Sequence, residues 1–326
     1  MIKRFRPGWA ILLAATAACA CSCDAGPATP TELTVAAVRP VPPGAAEITA
    51  APRQRGDQSC DATASLRPGS LPAPGAMPAG SPMASIVANG RVRVGVDQGS
   101  YMFGFRNPKT GVLEGFDIDL AREIARALFG DPDRIELQPM SSAQRIGALR
   151  DNKVDLVVST FSATCERAKE IDFSTVYYIS EQRLLVTKYS GLRSVTDLGG
   201  KRTCSVHGTT SLEPLFALAA RPTVIGMTTW TDCLAALQQG QVDAVSTDAP
   251  ILFGLAAQDD NLEVVGGALA NDAYAIGIQQ GKPELVRFVN AVLERIRGDG
   301  TWQRLYETRL ALLGPSPGPP VPKYVG

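Results

Sequence analysis

From residue 91 onward, short apolar runs alternate with longer segments whose apolar residues recur every three or four positions. Residues 91–96 (RVRVGV) read as a strand. Residues 116–129 (FDIDLAREIARALF) read as an amphipathic helix, with Leu120, Ile124 and Leu128 on one stripe and Asp117 at the end where the helix dipole favours an anion. A strand over 134–138, a helix over 142–150 and a strand over 154–159 follow. The order β-α-β-α-β predicts an open parallel sheet, because parallel neighbours need a crossover helix.

A second series repeats the design. A Gly-Gly turn follows residues 195–198. Strands are expected over 203–206, 222–227 and 242–246, with helices over 211–219, 231–239 and 249–256. The stretches DNKVDLVVST (151–160) and QGQVDAVSTD (239–248) both set "VD" before an apolar strand that ends in hydroxyls. This faint internal echo suggests two lobes of one plan. Two extended segments, 182–188 and 274–279, would carry the chain out to the second lobe and back. Helices over 284–297 and 301–310 would then pack on the first. The expected fold is a two-lobed α/β protein with two hinge strands. Lobe one spans 85–187 plus 274–326, and lobe two 188–273. Open α/β sheets bind ligands at the carboxyl ends of their strands, so two facing lobes form a cleft.

The ends of the 326-residue chain differ from this pattern. Lys3, Arg4 and Arg6 precede an apolar run over 9–18 that is too short to be a permanent span, so residues 1–23 read as an export signal. Small residues then lead to Cys19, Cys21 and Cys23, the pattern of a lipidated cysteine; Cys19 or Cys21 fits better than Cys23. Residues 24–84 are rich in Pro, Ala, Gly and Thr with no period, and are expected to be a disordered tether. The tail PSPGPPVPKY is expected to run irregularly over the surface. Formal net charge is zero, so no basic excess exists to neutralise phosphates, and nucleic acid is not an expected partner.

Four further cysteines, Cys60, Cys165, Cys204 and Cys233, lie in the exported part. An even number outside the cytoplasm suggests two disulfides, with three connectivities open. Cys204–Cys233 is favoured because both fall in one candidate lobe, leaving Cys60–Cys165. A zinc site is the rival reading, but no C-x2-C spacing exists and His207 is the only histidine.

The stretch STFSATCERAKEIDFS (159–174) carries the most chemistry. Hydroxyls directly after a strand, with one arginine nearby, suit a small carboxylate: the guanidinium gives a two-point grip and hydroxyls fill the remaining lone pairs. The bland alternative for Arg167 is a surface ion pair. HGTTS (207–211) follows a strand and opens a helix, where free amides favour an anion; a capped helix start is the plain alternative. Asp248 ends a strand and precedes Ala-Pro, so it would suit either a ligand cation or a helix N-cap. His207 would line the cleft or fill the turn. No G-x-S-x-G, H-E-x-x-H or Ser-His-Asp set points to an enzyme, and no cofactor is implied.

GFDIDLA (115–121), SATCERAKEIDFS (162–174), CSVHGTTS (204–211) and VDAVSTDAPIL (242–252) together resemble the type II periplasmic binding proteins of the polar amino-acid family, the solute-binding parts of ABC importers. The likeness covers roughly residues 86–312. Within that family the chain resembles actinobacterial, including mycobacterial, lipoproteins that bind glutamate, aspartate or glutamine. The resemblance implies that Arg167 and Ser162 hold the ligand α-carboxylate and that Thr160 and Asp248 read its ammonium. It sets Thr209 and Thr210 against the ligand from lobe two. It gives Arg145, in SSAQRIGAL, to a side-chain carboxylate. Gly99, Ser100, Tyr101 and Phe103 would form the near wall. Asp97 stands where other glutamate binders carry an arginine, so asparagine and glutamine stay open as ligands. The implied partners are an amino acid, an ABC permease or a membrane sensor, and the membrane through a lipid anchor, for a monomer on the extracytoplasmic face of the cell membrane. The rival of another class is an enzyme on this fold, such as a cyclohexadienyl dehydratase; the rival within binding is a different polar amino acid.

Overall fold

The computed structural model describes residues 44–56 and 60–325. The export signal and its cysteines, Cys19, Cys21 and Cys23, lie outside the described residues. The chain order is β1 (Ala46–Glu47), β2 (Ala64–Leu66), α1 (Pro82–Ala88), β3 (Val92–Val96), β4 (Gly99–Ser100), β5 (Gly104–Arg106), β6 (Leu113–Glu114), α2 (Phe116–Phe129), β7 (Ile135–Pro139), α3 (Arg145–Arg150), β8 (Leu156–Val157) and β9 (Ile171–Phe173). It continues β10 (Tyr178–Thr187), β11 (Arg202–Val206), α4 (Leu212–Phe216), β12 (Thr223–Met227), α5 (Trp230–Gln238), β13 (Ala244–Asp248), α6 (Ala249–Ala256), β14 (Leu262–Val265), β15 (Asn271–Tyr274), β16 (Gly277–Gln279), α7 (Pro283–Gly298), α8 (Thr301–Arg309) and β17 (Lys323–Val325).

Two large sheets organise the chain. One has the order β7-β3-β8-β16-β9; the other runs β1-β12-β11-β13-β10-β14, with β15 also on β10. In each, the strands joined by helices pair in parallel: β3 with β7 and β8, and β11 with β12 and β13. The long β10 links the two sheets. Its first half pairs with β15 and its second half with β13 and β14, so β10 and β15 are the crossing strands. The crossings therefore begin earlier than the apolar runs at 182 and 274 suggest.

In the first lobe α2 packs its apolar stripe on α7 and α8, around the fully buried rings of Phe103, Phe116, Tyr177, Tyr274 and Trp302. Trp302 Nε1 donates to Tyr177 O at 2.9 Å, which satisfies the indole inside this core. In the second lobe Trp230, Leu234, Leu237, Ile251 and Leu255 cover β11 and β13. Cys204–Cys233 ties β11 to α5 within that lobe, and Cys60–Cys165 ties the N-terminal segment to the first. With all four cysteines bonded, the zinc alternative has no thiolates.

Three expectations need correction. The stretch 24–84, read as a disordered tether, is ordered over its described part. Ala46 and Glu47 pair with Gly226 and Ile225, Ala64–Leu66 pair in parallel with Lys323–Val325, and α1 starts at Pro82. The tail expected to be irregular ends in that same pairing. For Ala46–Glu47 the physical reason is edge completion: β12 leaves a row of backbone donors and acceptors that a short segment can satisfy without any hydrophobic period of its own; Ala64–Leu66 and Lys323–Val325 satisfy each other in a separate two-stranded sheet. The helix expected over 211–219 is only Leu212–Phe216, which removes the basis for a helix-dipole anion site there.

Candidate functional site

The loop after β8 is built to present Arg167. Asp117, buried at the start of α2, accepts from the backbone N–H of Thr160 at 2.8 Å and from the Tyr177 hydroxyl at 2.8 Å. This holds Thr160 in the left-handed region, at φ 39°. Burial is the main force on the Asp117 carboxyl and raises its pKa to about 7, against the lowering effect of those two donors. Beyond Thr160 the chain places Phe161 under two guanidiniums. The Cζ of Arg145 lies 4.3 Å from its ring centroid and that of Arg167 lies 4.9 Å from it.

Both arginines are 2% exposed, and among the described residues neither has a carboxylate within ion-pair distance. Backbone carbonyls hold them instead. Arg167 donates to Ser162 O at 2.7 Å and Arg145 to Ser159 O at 2.9 Å. Both also reach the same carbonyl across the cleft, Gly208 O, at 3.2 Å from Arg145 and 3.0 Å from Arg167. Burial lowers both pKa values, that of Arg145 to about 10, and the neighbouring charge of Arg145 lowers Arg167 further. Two cations beside one carbonyl leave the site short of negative charge.

Lobe two faces them with Asp248, at the carboxyl end of β13. Its side chain makes no cap bond to α6, so the N-cap alternative does not describe it. Oδ2 accepts from the Tyr274 hydroxyl at 2.5 Å, and the buried Oδ1 has no partner. Burial, and then the charge of Asp272, push the Asp248 carboxyl above the usual carboxylate range. A cation placed at Oδ1 would reverse that shift.

The space between the lobes, nearly shut at about 10 Å³, is lined by Arg145, Thr160, Ser162, Arg167, Thr209, Thr210 and Asp248 among the expected residues. Ser142, Ser211, Trp230, Thr247 and Ile251 line it as well. Thr209 Oγ1 is committed to Val206 O at 2.7 Å, and Thr210 Oγ1 to Asp272 at 2.8 Å and Ser162 Oγ at 3.2 Å. The Thr209 hydroxyl therefore shapes the wall, and that of Thr210 joins the lobes through Ser162. Gly208 makes the close approach possible. Its φ is +77°, and a Cβ there would sit 2.6 Å from Ala143 Cα across the cleft. The only histidine, His207, fills a turn, with its ring against Gly226.

Gly99, Ser100 and Tyr101, expected to form a near wall, are not among the residues that line this space. Asp97 folds back to accept from Gly99 N at 3.1 Å and Ser100 Oγ at 2.5 Å. The turn this makes packs Gly99 toward Thr231 and Tyr101 toward Gly254 of the second lobe. Phe103 lies in the first-lobe core. The residues missed from sequence are Trp230 and Ile251, whose positions on α5 and α6 match ordinary core spacing, and Gln54, which comes from the supposed tether. Gln54 Oε1 accepts from Arg167 Nη2 at 3.3 Å.

Two α/β lobes that close charged and hydroxyl side chains around a space this small define a two-lobed receptor for a small polar molecule. Residues 92–310 match the family described as bacterial extracellular solute-binding proteins, family 3, and the chain belongs to it. It is 35% identical over 226 residues to the ABC transporter glutamine-binding protein GlnH of Bacillus subtilis, covering 69% of this chain and 83% of that protein. It is 31% identical over 236 residues to the glutamate-binding protein GluB of Corynebacterium glutamicum, covering 69% and 80%. Among solved structures, the solute receptor for L-cysteine of Neisseria gonorrhoeae superimposes with a TM-score of 0.68 at 28% identity, covering 72% of this chain and 97% of that one. An ancestral arginine-binding protein bound to glutamine gives 0.62 at 32%, covering 68% and 97%. The fold is the type II periplasmic-binding-protein fold, and the relatives are solute-binding proteins rather than enzymes. The chain is thus an amino-acid-binding component of the ABC-importer class.

Proposed function

We infer that the chain captures an acidic amino acid, glutamate or aspartate, between lobes spanning 85–187 plus 274–326 and 188–273. The observation that carries this is the charge imbalance of the site. Two buried guanidiniums without carboxylate partners face Asp248, which keeps an unpartnered oxygen, while the second buried carboxylate, Asp272, is paired with Arg55. An α-carboxylate on Arg167 and Ser162, an ammonium on Asp248 and the Thr160 carbonyl, and a second carboxylate on Arg145 would balance it. Thr209, Thr210 and the Gly208 carbonyl close the far side. Glutamine is the second reading, favoured by the name of the Bacillus relative; its amide oxygen would meet Arg145 without cancelling its charge.

Delivery to an ABC permease, or signalling to a membrane sensor, would follow closure. The lipid anchor on Cys19 or Cys21, the extracytoplasmic membrane location and the monomeric state belong to the same reading. Calorimetry with a panel of amino acids tests the ligand. Arg145→Ala is expected to weaken glutamate and aspartate by roughly tenfold or more while changing glutamine less, as fits loss of a charge-assisted pair. Equal losses for all three ligands, or none, would sink the assignment of Arg145.

A further inference from the structure

The segment ahead of the first lobe touches both lobes beside the hinge. It starts on lobe two, where Ala46 and Glu47 extend the sheet at β12 and Ile48 N–H donates to Val224 O at 2.9 Å. Gln54 and Arg55 N–H then both donate to Glu213 Oε2 of α4, at 3.2 and 2.9 Å. From the same residue, Gln54 O accepts from Thr164 Oγ1 of lobe one at 2.7 Å, and its side-chain oxygen accepts from Arg167. Gln54 is thus bonded to lobe two through its N–H and to lobe one through both of its carbonyls. Arg55 reaches the crossing strand β15, donating to Asn271 O at 3.0 Å and pairing with Asp272 at 2.7 Å, where the Asp272 side chain is 1% exposed. Cys60 is bonded to Cys165, two residues before Arg167.

We propose that this segment is a third inter-lobe connection beside the two hinge strands, and that Gln54 and Arg55 are positioning residues for the ligand site. Gln54 orients Arg167, the group assigned to the α-carboxylate. Arg55 neutralises Asp272, whose charge otherwise acts on Asp248, the group assigned to the ammonium. The Gln54 bonds to both lobes are all present with the lobes together, so opening must break one set. The segment therefore favours the closed form and raises affinity without ligand contact from Glu213.

The roles of Gln54 and Arg55 rest on the amino-acid reading above; the connection itself does not. Three variants of the full chain, titrated with L-glutamate and L-aspartate, test it. Glu213→Ala, which removes the lobe-two attachment, is expected to weaken binding by about threefold to tenfold, the loss of two hydrogen bonds to a charged acceptor. Gln54→Glu puts a carboxylate on Arg167 in competition with the ligand. It should weaken binding more than Gln54→Ala, an order that a merely structural role would not produce. Wild-type affinity in Glu213→Ala, or Gln54→Glu no weaker than Gln54→Ala, overturns the proposal. Should the wild type bind neither amino acid, the ligand reading fails and small-angle X-ray scattering decides the connection. A larger ligand-free radius of gyration in Glu213→Ala than in wild type supports it, and equal radii overturn it.

Discussion

The two lobes begin their ligand-facing strands in the same way and end them differently. Asp155, before β8, accepts from Arg93 N–H at 2.8 Å, and its own N–H donates to Arg93 O at 2.8 Å. Asp243, before β13, repeats both bonds with Arg202, again at 2.8 Å each. The "VD" echo is therefore a shared latch at the start of corresponding strands. At the other end, lobe one turns through Thr160 to Phe161, whose ring carries the guanidiniums of Arg145 and Arg167, whereas lobe two stops at a carboxylate with one open oxygen. The scaffold is duplicated and the chemistry is not. One lobe is a cationic floor held by its own carbonyls and by Gly208 O across the cleft; the other brings the counter-charge and closes by a glycine.

This contrast can be broken at its strongest point with Arg167→Ala. Removing the guanidinium assigned to the α-carboxylate is expected to cost about 3–5 kcal/mol of ligand binding, seen as a loss of more than a hundredfold by calorimetry. A smaller loss than for Arg145→Ala would reverse the order of the two arginines. Next comes the closing glycine. Gly208→Ala adds a methyl that meets the Ala143 backbone and a side chain at positive φ, so closure should lose about 2 kcal/mol or more. Binding should weaken more than tenfold with the fold intact by circular dichroism, and unchanged affinity would mean that binding does not need this approach.

The acid beneath the cationic floor gives a pH test. Because the folded pKa of Asp117 is raised to about 7, the folded state holds a proton that the unfolded state releases from about pH 4. Stability contributed by the neutral form is present below that point and falls as pH rises toward 7, by at most about 1.4 kcal/mol per pH unit. Urea unfolding across this range should show the decline in wild type and a flatter profile in Asp117→Asn. The smallest effect compares the two latches. Asp155 also pairs with the Arg93 side chain at 2.7 Å, and among the described residues Asp243 has no such pair. Asp155→Ala should therefore destabilise by about 2 kcal/mol and Asp243→Ala by about 1 kcal/mol. Equal values from thermal unfolding would show that the extra ion pair adds nothing.

Much of this arrangement was legible in the chain because it follows strong local signals. Apolar strands ending in hydroxyls located the loops at 159–162 and 246–248, and the helical stripe of 116–129 located α2. The resemblance then singled out Arg145, Arg167 and Asp248, which the fold brings to one space. What was not legible lacks a period. A two-residue strand such as Ala46–Glu47 is selected by the open edge it meets, and that edge exists only after the sheet has formed. Gln54 and Arg55 sit in the same featureless stretch, and no spacing rule marks them. Gly99, Ser100 and Tyr101 stand away from the lined space for a related reason: Asp97 shapes their turn through side-chain bonds that composition does not reveal.

The chain has three tryptophans, and their places give the molecule an optical signature. Trp302 is sealed in the first-lobe core and bonded to a carbonyl, and Trp9 lies outside the described residues. Of the two described tryptophans, Trp230 alone lines the space between the lobes. Indole emission follows the polarity and order of its surroundings, so a change in fluorescence on adding an amino acid would originate on the lobe-two wall. Trp230→Phe would silence that signal and leave the Trp302 background in place.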